Sequence, residues 1–144
     1  MERKNAWKEY TEAEISELEK LNESYRNFLD AGKTERECVK QAVAMAEAAG
    51  YLDLKKVMEE GKQVKAGDKL YAVNMKKSLA LFQIGKQPLE KGMAILGAHI
   101  DSPRLDIKQN PLYEDTELAY LDTHYYGGIK KYQWVTLPLA IHGV

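Results

Sequence analysis

The sequence predicts an α/β fold, with helices first and a mixed sheet after them. Three observations carry that expectation. Two Thr-x-x-Glu boxes each precede apolar residues at steps of three and four, an alternating apolar stretch is split around Lys76-Lys77, and a nearly unbroken apolar run, Met93-Ala94-Ile95-Leu96, leads into Gly97-Ala98-His99-Ile100-Asp101-Ser102-Pro103. Helices followed by strands pack as layers around one core.

The first helix follows Thr11-Glu12-Ala13-Glu14, where the threonine hydroxyl can accept the Glu14 amide and the glutamate can reach back to the cap. Ile15, Leu18, Leu21, Tyr25 and Phe28 then line one face, and Gly32 is a natural stop. Thr34-Glu35-Arg36-Glu37 repeats the box, followed by Val39, Ala42, Val43, Ala46 and Ala49, with Gly50 as the terminator. The small side chains predict close packing. Asp53–Met58 predicts one or two further helical turns. "KLYAVNM" and "SLALFQIG" predict two strands joined around Lys76-Lys77, because their β-branched and aromatic residues suit a pleated surface. "MAILGAHI" predicts a third strand, buried on both faces as in a parallel or mixed sheet. Beyond Pro103 the sequence is strand and turn, with Asn110-Pro111 and Gly127-Gly128 as turn signals.

Composition narrows the function. The length of 144 residues is that of one domain, and 44% hydrophobic content is enough for a core. With 21 basic and 22 acidic residues the net charge is −1, which gives no reason to expect nucleic acid or an anionic membrane as the main partner. Cys38 is the only cysteine, so no internal disulfide can form, and it reads as a buried structural thiol. The N-terminal stretch MERKNAWKEYTEAE lacks the apolar core of a signal peptide, and no apolar run approaches the roughly 20 residues that span a bilayer. The expected setting is soluble, reducing and cytoplasmic. Trp7 and Trp134 read as packing anchors. The closing run TLPLAIHGV is apolar with no stop signal, so the chain is expected to be the front piece of a longer polypeptide.

His99 and Asp101 are the candidate site. In a strand they share a face, at the carboxyl end where open α/β sheets place their sites. Histidine ligates zinc through one ring nitrogen, and a carboxylate commonly takes the other ring N–H. Spacing alone is weak evidence, since His-x-Asp arises often by chance and a strand-end histidine is more commonly a satisfied structural group.

The longer string "GAHIDSPRLDIKQNPLYEDTELAYLDTHYYGG" resembles the zinc metallo-aminopeptidase family that contains aspartyl aminopeptidase and vacuolar aminopeptidase I. The matching segments are Gly97 to Pro103, Lys108 to Pro111 and Tyr126 to Gly128, with a Tyr-containing helix upstream (Tyr25-Arg26-Asn27-Phe28-Leu29). The resemblance implies a two-zinc hydrolase that removes single N-terminal residues from peptides. It makes His99 a metal ligand and Asp101 the group that orients it. It implies that residues 1–105 are the front of a zinc-exopeptidase-like catalytic domain. Residues 106–144 then begin an inserted β-rich domain that builds dimers, which assemble into homo-oligomeric dodecamers. The remaining ligands and the general-base glutamate would lie further on, so the chain alone is expected to be inactive. Asp106, Asp115, Asp122, His124 and His142 read as solvated or capping groups rather than substitutes. Lys130, Lys131 and Tyr132 stand where aspartyl-type members carry an aromatic residue and a histidine, which puts acidic-residue specificity in doubt; the two lysines read as a solvated hairpin tip. Two alternatives remain open: a non-catalytic oligomerisation or scaffold module on the same fold, and an unrelated small α/β binding domain. Finally, the stretch from Tyr120 to Val144 is expected to form strands whose partners lie mostly outside the chain.

Overall fold

The computed structural model describes residues 4–144, so the first three residues of the N-terminal stretch lie outside it. The chain divides into two compact units after Gly97.

The first unit opens with a short 3-10 turn, Ala6–Lys8, and then α1 (Glu12–Ala31) and α2 (Glu35–Ala48). Both capping boxes form. Glu14 N–H donates to Thr11 Oγ1 at 3.3 Å while Glu14 Oε2 accepts from the Thr11 amide at 2.8 Å. In the second, Glu37 Oε2 accepts from the amides of both Thr34 and Lys33, each at 2.9 Å. Gly32 ends α1, but at φ −115° rather than in the left-handed conformation. A Cβ there would stand 2.9 Å from Cys38 Sγ and 3.1 Å from the Phe28 carbonyl oxygen, so the close approach of α2 is what calls for glycine. Cys38 is buried, its thiol donates to the Gly32 carbonyl, and burial pushes its pKa up, with Glu37 and Glu35 adding to the effect. It is the inert structural thiol that the sequence suggested.

After Gly50 (φ +85°) come β1 (Leu52–Asp53), α3 (Leu54–Glu59), β2 (Lys69–Asn74) and β3 (Ser78–Gln83). Asp53 caps α3 through the Lys55 amide at 2.9 Å. β1 pairs parallel to β2, Leu52 opposite Leu70, and β2 pairs antiparallel to β3, Leu70 opposite Phe82. The sheet is therefore mixed, as expected. The β2–β3 turn places Met75 and Lys76 at φ +50° and +59°, the hand that matches strand twist in tight hairpins. Cys38, Val39 and Ala46 of α2, Val57 of α3 and Leu70 and Tyr71 of β2 make the core. At its margin Tyr71 Oη donates to Oε1 of the exposed Glu47 at 2.7 Å.

Three expectations need correction. "MAILGAHI" is not a strand; Met93, Ile95 and Leu96 are exposed, Leu96 fully. A doubly buried strand needs a neighbour along its edge, and the β1–β2–β3 sheet does not take this run up. Consequently His99 and Asp101 stand in an irregular segment, not at a strand end. Trp7 is 64% exposed and meets Tyr10 edge-on, so it anchors no core.

The second unit, Ala98–Val144, is a hairpin of β4 (Arg104–Asp115) and β5 (Leu118–Tyr126), followed by one helical turn, α4 (Lys131–Trp134). Its turn is Thr116-Glu117, both at positive φ, and not either of the signals read from the sequence. Asn110-Pro111 lies inside β4. Ile107 faces Thr123 and Leu112 faces Leu121, so residues 108–111 bulge opposite Asp122 alone. A bulge is where a strand tolerates proline. Lys130 and Lys131 are not a hairpin tip: Lys131 begins α4 with its ammonium 4.2 Å from the centre of the Tyr125 ring. β5 has its partner within the chain, contrary to expectation, while residues 135–144 form no strand.

The Tyr71–Glu47 bond generates a prediction. The bond to the Glu47 carboxylate, then desolvation, then the Glu47 and Asp53 charges raise the Tyr71 pKa from 10.0 to about 12. The folded value exceeds the unfolded one, so the stabilisation is complete below pH 10 and is lost as pH rises towards 12. Glu47→Ala should return the pKa towards 10.0, read from an NMR titration of the Tyr71 ring, and flatten the alkaline loss of stability. An unchanged titration would show that the bond is not responsible.

Candidate functional site

The site is assembled at the open end of the β4–β5 hairpin. Pairing sets Arg104 opposite Tyr126, which brings the chain just before β4 alongside the chain just after β5. Those two stretches are Asp101–Pro103 and Tyr126–Gly127.

Five side chains make a linked series there. His99 has its Nδ1 3.0 Å from the Asp101 carbonyl oxygen and 3.3 Å from Asp101 Oδ1. With the proton on Nδ1, the ring donates to both. Tyr126 Oη donates to the other carboxylate oxygen, Asp101 Oδ2, at 2.7 Å. The Arg104 guanidinium lies 4.2 Å from the centre of the Tyr126 ring, in cation–π range, and its Nε donates to Asp106 Oδ1 at 2.7 Å. Across the same gap, a Cβ on Gly127 (φ +74°) would lie 3.4 Å from three atoms of Pro103.

The electrostatics follow. The Tyr126 hydroxyl first, then a backbone bond within Asp101 and the facing His99, hold the Asp101 carboxyl below the usual carboxylate range. Asp101 is therefore an anion at neutral pH and a steady acceptor for the imidazole N–H. The His99 side chain is 84% exposed, and its Nε2 has no hydrogen-bond partner among the described residues.

That arrangement suits a metal-ligating histidine: Nδ1 fixed by a carboxylate and a carbonyl, Nε2 free to coordinate. It provides one donor. No group of three or more His, Cys, Asp or Glu side chains converges among the described residues. Asp106 and Asp122 are engaged by Arg104 and Lys108, and His124 stacks on Tyr125. The sequence brought out His99 and Asp101 but assigned no role to Arg104 or to the hydroxyl of Tyr126. A signal was present: two motifs flank two strand-like arms, and closing a hairpin between them must bring its ends together.

The profile of the aminopeptidase I zinc metalloproteases (M18) matches residues 28–144. The chain belongs to the M18 family. It is 59% identical over 143 residues to the probable M18 family aminopeptidase 1 of Clostridium acetobutylicum, covering 99% of this chain and 31% of that protein. The crystal structure of aminopeptidase I from Borrelia burgdorferi aligns with 94% of this chain and 32% of that one, at 41% identity and a TM-score of 0.85. That of aminopeptidase I from Clostridium acetobutylicum aligns with 96% and 30%, at 56% identity and a TM-score of 0.77. This M18 chain thus spans about 31% of the curated relatives it matches. No helix among the described residues is long and apolar enough to cross a membrane.

Gly127 yields the test of this geometry. Its positive φ of +74° disfavours any side chain, while Pro103 would meet the added atom only at contact distance. Gly127→Ala should cost about 1–2 kcal/mol in chemical denaturation. Full retention of stability would mean that the turn relaxes without cost.

Proposed function

We propose that His99 supplies one ligand to a zinc centre and that Asp101 orients it, within an M18 aminopeptidase of which this chain is the N-terminal segment. The observation that carries the reading is the state of the His99 ring, with Nδ1 held by Asp101 and Nε2 unengaged in a highly exposed side chain. The chain's donor set fits one coordination position, and the other donors come from parts of the longer enzyme that this chain does not span. When bound, zinc supplies Lewis acidity toward a scissile carbonyl and lowers the pKa of water. The chain's own residues keep a proton on His99 Nδ1, keep Asp101 ionised, and hold the imidazole in one orientation.

The family resemblance supports the rest of the reading. The substrates are peptides, trimmed one N-terminal residue at a time, with two zinc ions and a general-base glutamate in the complete site. The chain from residue 106 begins the inserted β-rich domain, through which subunits form dimers and then a homo-oligomer of the dodecameric kind. The lone reduced Cys38 suits a cytoplasmic setting.

His99→Ala, made in the protein at its natural length, should lower zinc content and aminopeptidase activity together. Asp101→Asn should weaken zinc more mildly, by about tenfold to a hundredfold. Normal zinc stoichiometry with normal turnover in His99→Ala would overturn this reading and leave the non-catalytic oligomerisation module in its place.

A further inference from the structure

A carboxylate that orients an imidazole must itself be oriented. Asp101 has two oxygens and a rotatable side chain, and it is partly open to water. Left alone it would swing between presenting either oxygen, or neither, to His99. In this structure one oxygen is occupied: Tyr126 Oη donates to Oδ2 at 2.7 Å, and Oδ1 is thereby turned towards His99 Nδ1 at 3.3 Å. A hydrogen bond to an ionised acceptor is short and strong relative to a neutral one.

The tyrosine is held in turn. It ends β5 opposite Arg104, whose guanidinium covers its ring at 4.2 Å and is tied to Asp106 at 2.7 Å. Gly127, the next residue, takes the positive φ of +74° that brings the chain close beside Pro103. The hairpin ladder therefore delivers the hydroxyl to a fixed place, and the carboxylate settles against it.

We infer that Tyr126 is a positioning residue for the His99–Asp101 pair, the link by which the hairpin register fixes the ring nitrogen that faces the metal. The inference rests on the zinc-ligand reading of His99 and adds a residue to it. The Asp101 carbonyl also faces Nδ1, at 3.0 Å, so removing the tyrosine hydroxyl loosens the ring without freeing it.

The test uses the protein at its natural length, first stripped of metal. Long-range proton–nitrogen NMR of the His99 ring reports which nitrogen carries the proton. The wild type should hold it on Nδ1, and Tyr126→Phe should move part of the population to Nε2. Titration with zinc alone should then show affinity lowered about threefold to tenfold, below the usual tenfold-to-hundredfold effect of a partner that touches the ligand directly. In an Asp101→Ala background, Tyr126→Phe should add nothing further, which separates positioning from general loss of packing. Unchanged tautomer and unchanged zinc affinity in Tyr126→Phe would overturn the inference, as would full additivity with Asp101→Ala. If His99→Ala leaves zinc affinity untouched, the ligand reading fails instead, and the metal-free spectrum still decides whether Tyr126 positions His99.

Discussion

A backbone amide that leaves water must find another acceptor, and in this chain that obligation sorts strand from non-strand. Each strand that forms has a partner close along the chain: β2 lies against β1 and β3, and β4 lies against β5. The apolar runs without such a partner, around Met93–Leu96 and in residues 135–144, stay irregular and exposed. Their composition suits a buried strand, but composition does not provide a neighbour. The same rule positions the site, because the β4–β5 ladder is what carries Tyr126 back to Asp101.

Local chemistry was the most legible part of the sequence. Both capping boxes, the short helix read over Asp53–Met58 and the β2–β3 hairpin involve residues within a few positions of one another, so their signals sit in a short window. Gly32 shows the limit of that kind of reading. It was recognised as a helix stop, yet its reason is a tertiary one, the Cys38 sulfur lying where a Cβ would go. The hairpin turn failed differently. Asn110-Pro111 and Gly127-Gly128 advertise turns, while the turn itself uses Thr116-Glu117, whose positive φ values no propensity rule favours. Proline entered β4 through a bulge, a device that is visible only once both strands are in register.

The site was legible as far as its pattern reached. His99 and Asp101 stand two residues apart and meet in the structure even though the strand expected to align them is absent. Their contact is made by the irregular segment itself, with the Asp101 carbonyl and carboxylate both facing the ring. Tyr126 is 25 positions away from Asp101, and nothing in a linear reading links the two until the hairpin is closed.

The bulge opposite Asp122 gives the hairpin an uneven tolerance. Between the bulge and the open end, Arg104 to Ile107 pair without interruption with Tyr126 to Thr123, so there is no slack between the ladder and the Tyr126–Asp101 bond. A residue gained or lost there would turn alternate side chains to the opposite face and carry Tyr126 or Arg104 out of reach. Beyond the bulge the ladder runs separately from Leu112 to the Thr116-Glu117 turn, and four residues already crowd against one at the break. Length changes nearer the tip can be taken up at that irregularity. One half of the hairpin is thus free to drift in length while the other is locked to the His99–Asp101 pair.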